Sequence, residues 1–140
     1  MFLRYLNEKE QKYFLELAYL IANCDNDFID EEKIMIEQYR DEMMLSELEY
    51  KIQGKDLDEI VDFFKNASDI KKNYIIFEAL GIIYSDNKFA DEEKEVLNRL
   101  KAAFKINDKK IDVMVKKLLE LKKIYNDLMK IFDETEAENI

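Results

Sequence analysis

The sequence predicts a single all-α domain, and three observations support this fold class. The chain has no proline and only two glycines, so few residues interrupt a helix. Charged residues make up 39% and hydrophobic residues 48% of its 140 residues, a mixture typical of one soluble helical domain. Apolar residues recur every three or four positions along most of the chain, which is the period of a helix with one buried face.

An acidic segment of nine residues occurs twice. Residues 25 to 33 read DNDFIDEEK, and residues 86 to 94 read DNKFADEEK, an offset of 61 positions. We therefore predict two pseudo-symmetric helix-turn-helix repeats within a fold of about seven helices. The first repeat covers about residues 8 to 44, and the second covers about residues 69 to 104.

Capping signals mark the helix starts. Asn7 and Glu10 have the spacing of a capping box, which predicts a first helix from residue 7 to about residue 23. Asp30 is the predicted N-cap of the second helix, and Asp91 takes the same place in the second repeat. The glutamates that follow each cap lie in the first turn, where carboxylates interact favourably with the helix dipole.

Two short helices are predicted between the repeats. One opens at Ser46, and the other begins near Asp56, after Gly54. The second repeat then supplies a helix from about residue 68 to residue 84 and another from residue 91 to about residue 104. The apolar residues between the repeats are dense enough to belong to the core: Leu57, Ile60, Val61, Phe63 and Phe64.

The last helix, about residues 107 to 132, is the longest predicted element. Its apolar residues recur at alternating steps of three and four, the spacing of a coiled-coil seam. Apolar residues beside the seam widen the face, which favours packing on a globular domain and leaves a homodimer through this helix as an alternative. The seam residues are Ile111, Met114, Leu118, Leu121, Tyr125, Leu128 and Phe132.

Residues 133 to 140 are predicted to form an acidic, flexible tail.

The charge is unevenly distributed along the chain. Residues 1 to 100 have a net charge of -11, residues 101 to 130 have +5, and residues 131 to 140 have -4, which together give -10. Most of this surface would repel a phosphate backbone, which argues against nucleic-acid binding. No window approaches the ~20 apolar residues of a transmembrane segment, and no signal-peptide core is evident. We therefore expect a cytoplasmic protein.

The two acidic segments resemble a known family. In each, an apolar helix leads into the pattern Asp-Asn-x-Phe-x-Asp-Glu-Glu, at residues 25 to 32 and 86 to 93. Two such turns in an acidic helical domain resemble the tellurite-resistance TerB-like family, which is related to the N-terminal domain of the DnaJ-like co-chaperone DjlA. The family usually has glycine where this chain has Asn26 and Asn87, and asparagine tolerates the same left-handed backbone. The resemblance implies a non-catalytic domain in tellurite or other stress resistance, with acidic residues that hold divalent cations.

Asp25, Glu32, Asp86 and Glu93 occupy matching positions in the two copies. Calcium prefers six to eight oxygen ligands, and two turns that face one another would supply several of them. The spacing is not that of an EF-hand, because Ile36 stands where a loop starting at residue 25 needs a glutamate. These four carboxylates are therefore the predicted ligands of a shared site for calcium or another divalent cation. The alternative is that the acidic turns serve only as helix caps and dipole partners.

The sequence offers no catalytic constellation. It has no histidine, glycine-rich phosphate loop or nucleophile motif, and the single Cys24 has no cysteine or histidine with which to form a disulfide or a zinc site. We therefore predict a non-enzymatic protein without an organic cofactor. Two functions remain open: a divalent-cation-responsive module, and an interaction module whose lysine-rich last helix binds a protein partner.

Overall fold

The computed structural model describes residues 1 to 24, 30 to 85 and 90 to 138, apart from the side chains of residues 30 to 32 and 134 to 138. This part of the chain is helical and contains no strand, which confirms the all-α fold class. A short 3-10 helix, Leu3–Tyr5, precedes the α-helices. The six α-helices are α1 (Glu8–Asn23), α2 (Asp30–Met43), α3 (Leu57–Phe64), α4 (Asp69–Ile83), α5 (Asp91–Phe104) and α6 (Asp108–Glu138).

Backbone contacts divide the chain into two compact units, Met1–Ile106 and Asn107–Ile140. The first unit contains α1 to α5. Within it α1 packs against α2, α3 and α4, while α5 packs against α3 and α4. The second unit contains α6, whose helix continues to Glu138.

The core of the first unit is built on the apolar faces of α1 and α4. The face predicted for α1 is buried, because Phe14, Leu17 and Ala18 are 0% exposed and Ile21 is 2% exposed. From α4, six apolar residues join this core, and α3 contributes two more. The eight residues are Ile75, Ile76, Ala79, Leu80, Ile82 and Ile83 of α4, and Ile60 and Phe64 of α3.

Side-chain caps begin most of these helices. Asn7 Oδ1 accepts a hydrogen bond from the Glu10 backbone N–H, and Glu10 Oε1 accepts one from the Asn7 N–H, both at 2.8 Å, so the predicted capping box is confirmed. Asp56 caps α3, Ser68 caps α4 and Asn107 caps α6 in the same way. Each cap stabilises its helix by about 1 kcal/mol.

The start of α5 differs from the sequence prediction. Its N-cap is Ala90, which has an extended backbone and no side chain able to accept a hydrogen bond. The prediction that Asp91 is the cap is wrong, because Asp91 is already helical and its carboxylate lies 3.7 Å from Lys94 Nζ. The side chain of Asp30, the matching residue of α2, lies outside the described residues, as do Asn26 and Asn87.

The helix predicted to open at Ser46 is a single turn. The Ser46 carbonyl accepts hydrogen bonds from the N–H groups of Glu49 (3.1 Å) and Tyr50 (3.0 Å), and no helix follows. α2 stops just before, where Met44 has a left-handed φ of 54°. The described residues therefore contain six α-helices where the sequence predicts seven.

The helix bounds follow the sequence repeat. α2 and α5 are both 14 residues long, and their first residues lie 61 positions apart. Lys71 Nζ and Glu10 Oε1 form an ion pair at 2.8 Å between α4 and α1, and these two positions are also 61 apart. Three-dimensional pseudo-symmetry of the two copies stays a prediction.

Candidate functional sites

The predicted cation site lies largely outside the described residues. Asp25 and Asp86 are not among them, and Glu32 lies in α2 without a described side chain. Glu93 lies in the first turn of α5 and is 6% exposed. Within the described ranges, no group of three or more Asp, Glu, Cys or His side chains is arranged to hold a metal ion. The cation site therefore stays a prediction.

A buried carboxylate organises the segment between α2 and α3. Glu16 lies on α1 and is 1% exposed. Its Oε1 accepts hydrogen bonds from the backbone N–H groups of Gly54 (2.9 Å) and Lys55 (3.0 Å). Its Oε2 accepts from the Gln53 N–H (2.8 Å) and from the Tyr50 hydroxyl (2.5 Å). Four donors from one segment thus satisfy a single buried charge.

The backbone at Gly54 makes this arrangement feasible. Its φ is +74°, a left-handed conformation that glycine adopts without a Cβ penalty. Three successive N–H groups thereby converge on one carboxylate, as they do in backbone anion sites. Because the chain supplies its own anion in Glu16, this cradle is occupied and serves the fold.

Arg40 of α2 holds the same segment from the other side. It is 5% exposed, and its Nη1 donates hydrogen bonds to the carbonyl groups of Leu45 (3.2 Å) and Tyr50 (2.9 Å). Its Nε lies 3.8 Å from Glu37 Oε1, which balances the charge without a hydrogen bond. Arg40 and Glu16 together fix residues 45 to 55 against α1 and α2.

Sequence reasoning missed both of these residues. Glu16 stands between Leu15 and Leu17 in an apolar stretch of α1. A charged residue in such a stretch is the sequence feature that could have indicated a buried carboxylate. A buried charge requires nearby donors, which helices alone do not supply, so a polar loop had to reach it. The identity of that loop depends on tertiary packing.

Two tyrosines have raised pKa values in the first unit. Burial, followed by the hydrogen bond to the Glu16 carboxylate, raises the pKa of Tyr50 above its ordinary value. Burial also raises the pKa of Tyr39, with smaller effects from Glu78 and Glu42. Both side chains therefore stay protonated at neutral pH, and neither is poised for proton transfer.

An open cleft of about 270 Å³ lies between α1, α2 and the segment before α3. Its walls mix both signs of charge with apolar surface. Its lining residues are Tyr19, Lys33, Ile36, Glu37, Arg40, Glu47 and Ile52.

α6 exposes a dense apolar surface. Eight large apolar side chains between residues 119 and 132 have exposed fractions from 39% to 64%, whereas Ile111 and Leu118 are 6% and 8% exposed. At ~100° per residue, all of the eight except Leu119 lie on one side of the helix. We call these seven the α6 face: Leu121, Ile124, Tyr125, Leu128, Met129, Ile131 and Phe132.

The other side of α6 is polar. Lys123, Asn126 and Lys130 lie on this side and are exposed. Residues 107 to 132 contain seven lysines and four acidic residues, so this stretch is basic although the chain as a whole is acidic. The predicted amphipathic pattern of the last helix is therefore present, with its apolar side open to solvent.

Comparison of the chain with protein-family models, curated proteins and solved structures finds no match. Within the described residues, no helix has both the length and the apolar character needed to cross a membrane.

Proposed function

We propose that this chain is a non-enzymatic interaction module that binds a protein partner through the α6 face. The observation that supports it is the exposure of seven large apolar side chains on one side of a single helix. Contiguous apolar surface of this kind is uncommon on monomeric proteins and is typical of sites that another surface covers. We assign the module to the cytoplasm, since its one cysteine and its charged sequence fit that compartment.

The charges beside the α6 face indicate the chemistry of the partner. Lysines at positions 117 and 122 border the face, and their apolar stems extend the surface that a partner would cover. Their ammonium groups favour a partner that carries carboxylates at the rim of the contact. An amphipathic helix that docks along its length satisfies both requirements.

Affinity capture from an extract of the source cells tests this binding role. Leu128→Asp places a carboxylate in the centre of the α6 face, and Asn126→Asp places the same group on the opposite, polar side. We expect the Leu128→Asp chain to lose the proteins that the wild type captures, and the Asn126→Asp chain to keep them. Equal capture by all three chains would contradict a binding role for this face.

We propose a second role on the basis of the sequence repeat, that of a divalent-cation-responsive module in tellurite or other stress resistance, as in the TerB-like family. Asp25, Glu32, Asp86 and Glu93 would be its ligands. The observation that favours it is the equal length and the 61-residue spacing of α2 and α5, which place Glu32 and Glu93 in matching first turns. Helix N-termini attract carboxylates, and this attraction would hold the carboxylates of Glu32 and Glu93 near the two acidic turns.

Thermal unfolding in calcium or magnesium tests the cation role. A ligand that binds only the folded state stabilises it by RT ln(1 + [L]/Kd), so the melting temperature of the wild type should rise. An Asp25→Ala, Asp86→Ala double variant should show no such rise. Equal responses of the two chains at millimolar cation would rule out a site on these residues.

A further inference from the structure

We propose that the partner of α6 is a second copy of this chain, bound antiparallel, so that two α6 faces cover one another. This inference rests on the proposed binding role of α6 and names its partner. Three features of α6 support it: the spacing of its exposed apolar residues, the residues that flank them, and the distribution of charge along the helix.

The exposed seam residues fit one antiparallel register. In a heptad written abcdefg, Tyr125 and Phe132 occupy a positions, while Leu121 and Leu128 occupy d positions. When two helices run in opposite directions, each a position packs against a d position of the other helix. The register that places Leu121 opposite Phe132 of the second copy also places Tyr125 opposite Leu128. All four exposed seam residues then meet an apolar residue.

The flanking g positions agree with the same register. In antiparallel pairs, g positions of the two helices face one another beside the seam. The register above places Ile124 opposite Ile131 of the second copy. It also places position 117 opposite position 138, which the sequence fills with lysine and glutamate. The g flank therefore has an apolar centre and an opposite-charge pair at its end, whereas the e flank places Lys122 opposite Met129 of the second copy.

A parallel pair is less favourable. There, each g position faces the e position five residues later on the second helix. Lys117 would face Lys122, and Ile131 would face the glutamate at position 136. The antiparallel register avoids the like-charge contact between Lys117 and Lys122, so the sequence favours the antiparallel orientation.

The charge along α6 is divided between its two halves. Residues 109 to 123 contain six lysines and two acidic residues, whereas residues 131 to 138 contain four acidic residues and no basic one. An antiparallel pair places each basic half beside the acidic half of the other copy, and a parallel pair places like charges together. The chain thus supplies acidic residues that complement the lysine-rich part of α6. The exposed part of the seam, residues 121 to 132, would overlap over about 18 Å.

Disulfide cross-linking of the full chain tests the orientation. In a Cys24→Ser background, an Ile124→Cys chain is mixed with a nitrogen-15-labelled Ile131→Cys chain and oxidised, and the dimers are identified by mass spectrometry. Random pairing of equal amounts of the two chains would make half of the dimers mixed. We expect the mixed fraction to be well above one half, because positions 124 and 131 face one another. Asn126→Cys, on the polar side, is the control and should cross-link slowly. A mixed fraction of one half or less would overturn the antiparallel register.

Charge reversal tests the flank. We expect Lys117→Glu and Glu138→Lys each to weaken dimerisation by about fivefold in sedimentation equilibrium, and the double variant to recover the wild-type constant. Lys116→Glu makes the same change outside the flank and should have less effect. Failure of the double variant to recover any association would overturn the pairing of positions 117 and 138.

A chain that remains monomeric over about a hundredfold range of concentration would overturn the homodimer itself. The capture experiment on extracts is independent of that result. If the chain is monomeric but its capture of other proteins still depends on Leu128, the binding role of the α6 face stands. The partner is then a different protein and not a second copy of this chain.

Discussion

α1 and α6 are both amphipathic helices, and they differ in what happens to their apolar side. In α1, Phe14, Leu17 and Ala18 are 0% exposed, and even the charged Glu16 is buried and fully hydrogen-bonded. In α6, Tyr125 and Phe132 are 64% and 54% exposed. The same helical period therefore produces a core element in one case and an open surface in the other.

Apolar periodicity selects one face of a helix but does not determine what covers that face. α1 packs against α2, α3 and α4, and its apolar face is buried. The side chains of the α6 face are exposed, and exposed apolar surface of this kind is typical of binding sites. A residue in α1 should therefore affect the stability of the fold, and a residue on the α6 face should affect association.

A matched pair of phenylalanines tests this difference with the largest expected effect. Phe14→Ala removes a fully buried ring and should lower the free energy of unfolding by about 4 kcal/mol, through lost transfer energy and the cavity left behind. Phe132→Ala, measured by urea unfolding at low protein concentration, should change it by less than about 0.5 kcal/mol. Equal losses would show that the α6 face is part of a core.

A matched pair of glutamates tests the buried carboxylate. Glu16→Ala leaves the Tyr50 hydroxyl and three backbone N–H groups without their acceptor, so we expect a loss of about 3 kcal/mol in the free energy of unfolding. Glu120→Ala removes an exposed carboxylate from α6 and should cost less than about 0.5 kcal/mol. Urea unfolding followed by circular dichroism measures both. A small effect of Glu16→Ala would mean that residues 45 to 55 hold their shape by other contacts.

A substitution at the uncapped start of α5 should have the smallest effect on the free energy of unfolding, and it should raise that free energy. Ala90 has φ -65° and ψ 153°, close to the φ -64° and ψ 157° of Ser68, whose hydroxyl caps α4. Ala90→Ser should therefore install a cap and raise the free energy of unfolding by about 1 kcal/mol. Asn107→Ala, at the start of α6, is the counterpart and should reduce the helicity of that unit. A destabilising Ala90→Ser would show that the α5 start cannot accommodate a hydroxyl.

Local signals in the sequence predicted much of the fold. The capping box at Asn7, the starts of α3 and α4, and the apolar face of α1 all follow from patterns within a few residues. The same patterns misplaced the cap of α5, because Asp91 is a good cap by residue type and only backbone geometry shows that Ala90 holds that position. Propensity identifies the neighbourhood of a helix start and not its terminal residue.

Long-range contacts could not be predicted in the same way. The turn at Ser46 replaces a helix because Arg40 and Glu16 engage the backbone around it from other helices. The four predicted cation ligands depend on two turns that are far apart in sequence, so no local pattern shows whether they converge. The exposure of the α6 face is likewise a property of the whole molecule, although the seam itself was evident in the sequence.

Sedimentation equilibrium of the full chain tests the central claim about α6 most directly. Over about a hundredfold range of concentration, the apparent mass of the wild type and of Asn126→Asp should rise from 16.9 kDa towards twice that value, while Leu128→Asp should stay at the monomer mass. A constant 16.9 kDa for the wild type, or an equal rise in all three chains, would contradict self-association through the α6 face.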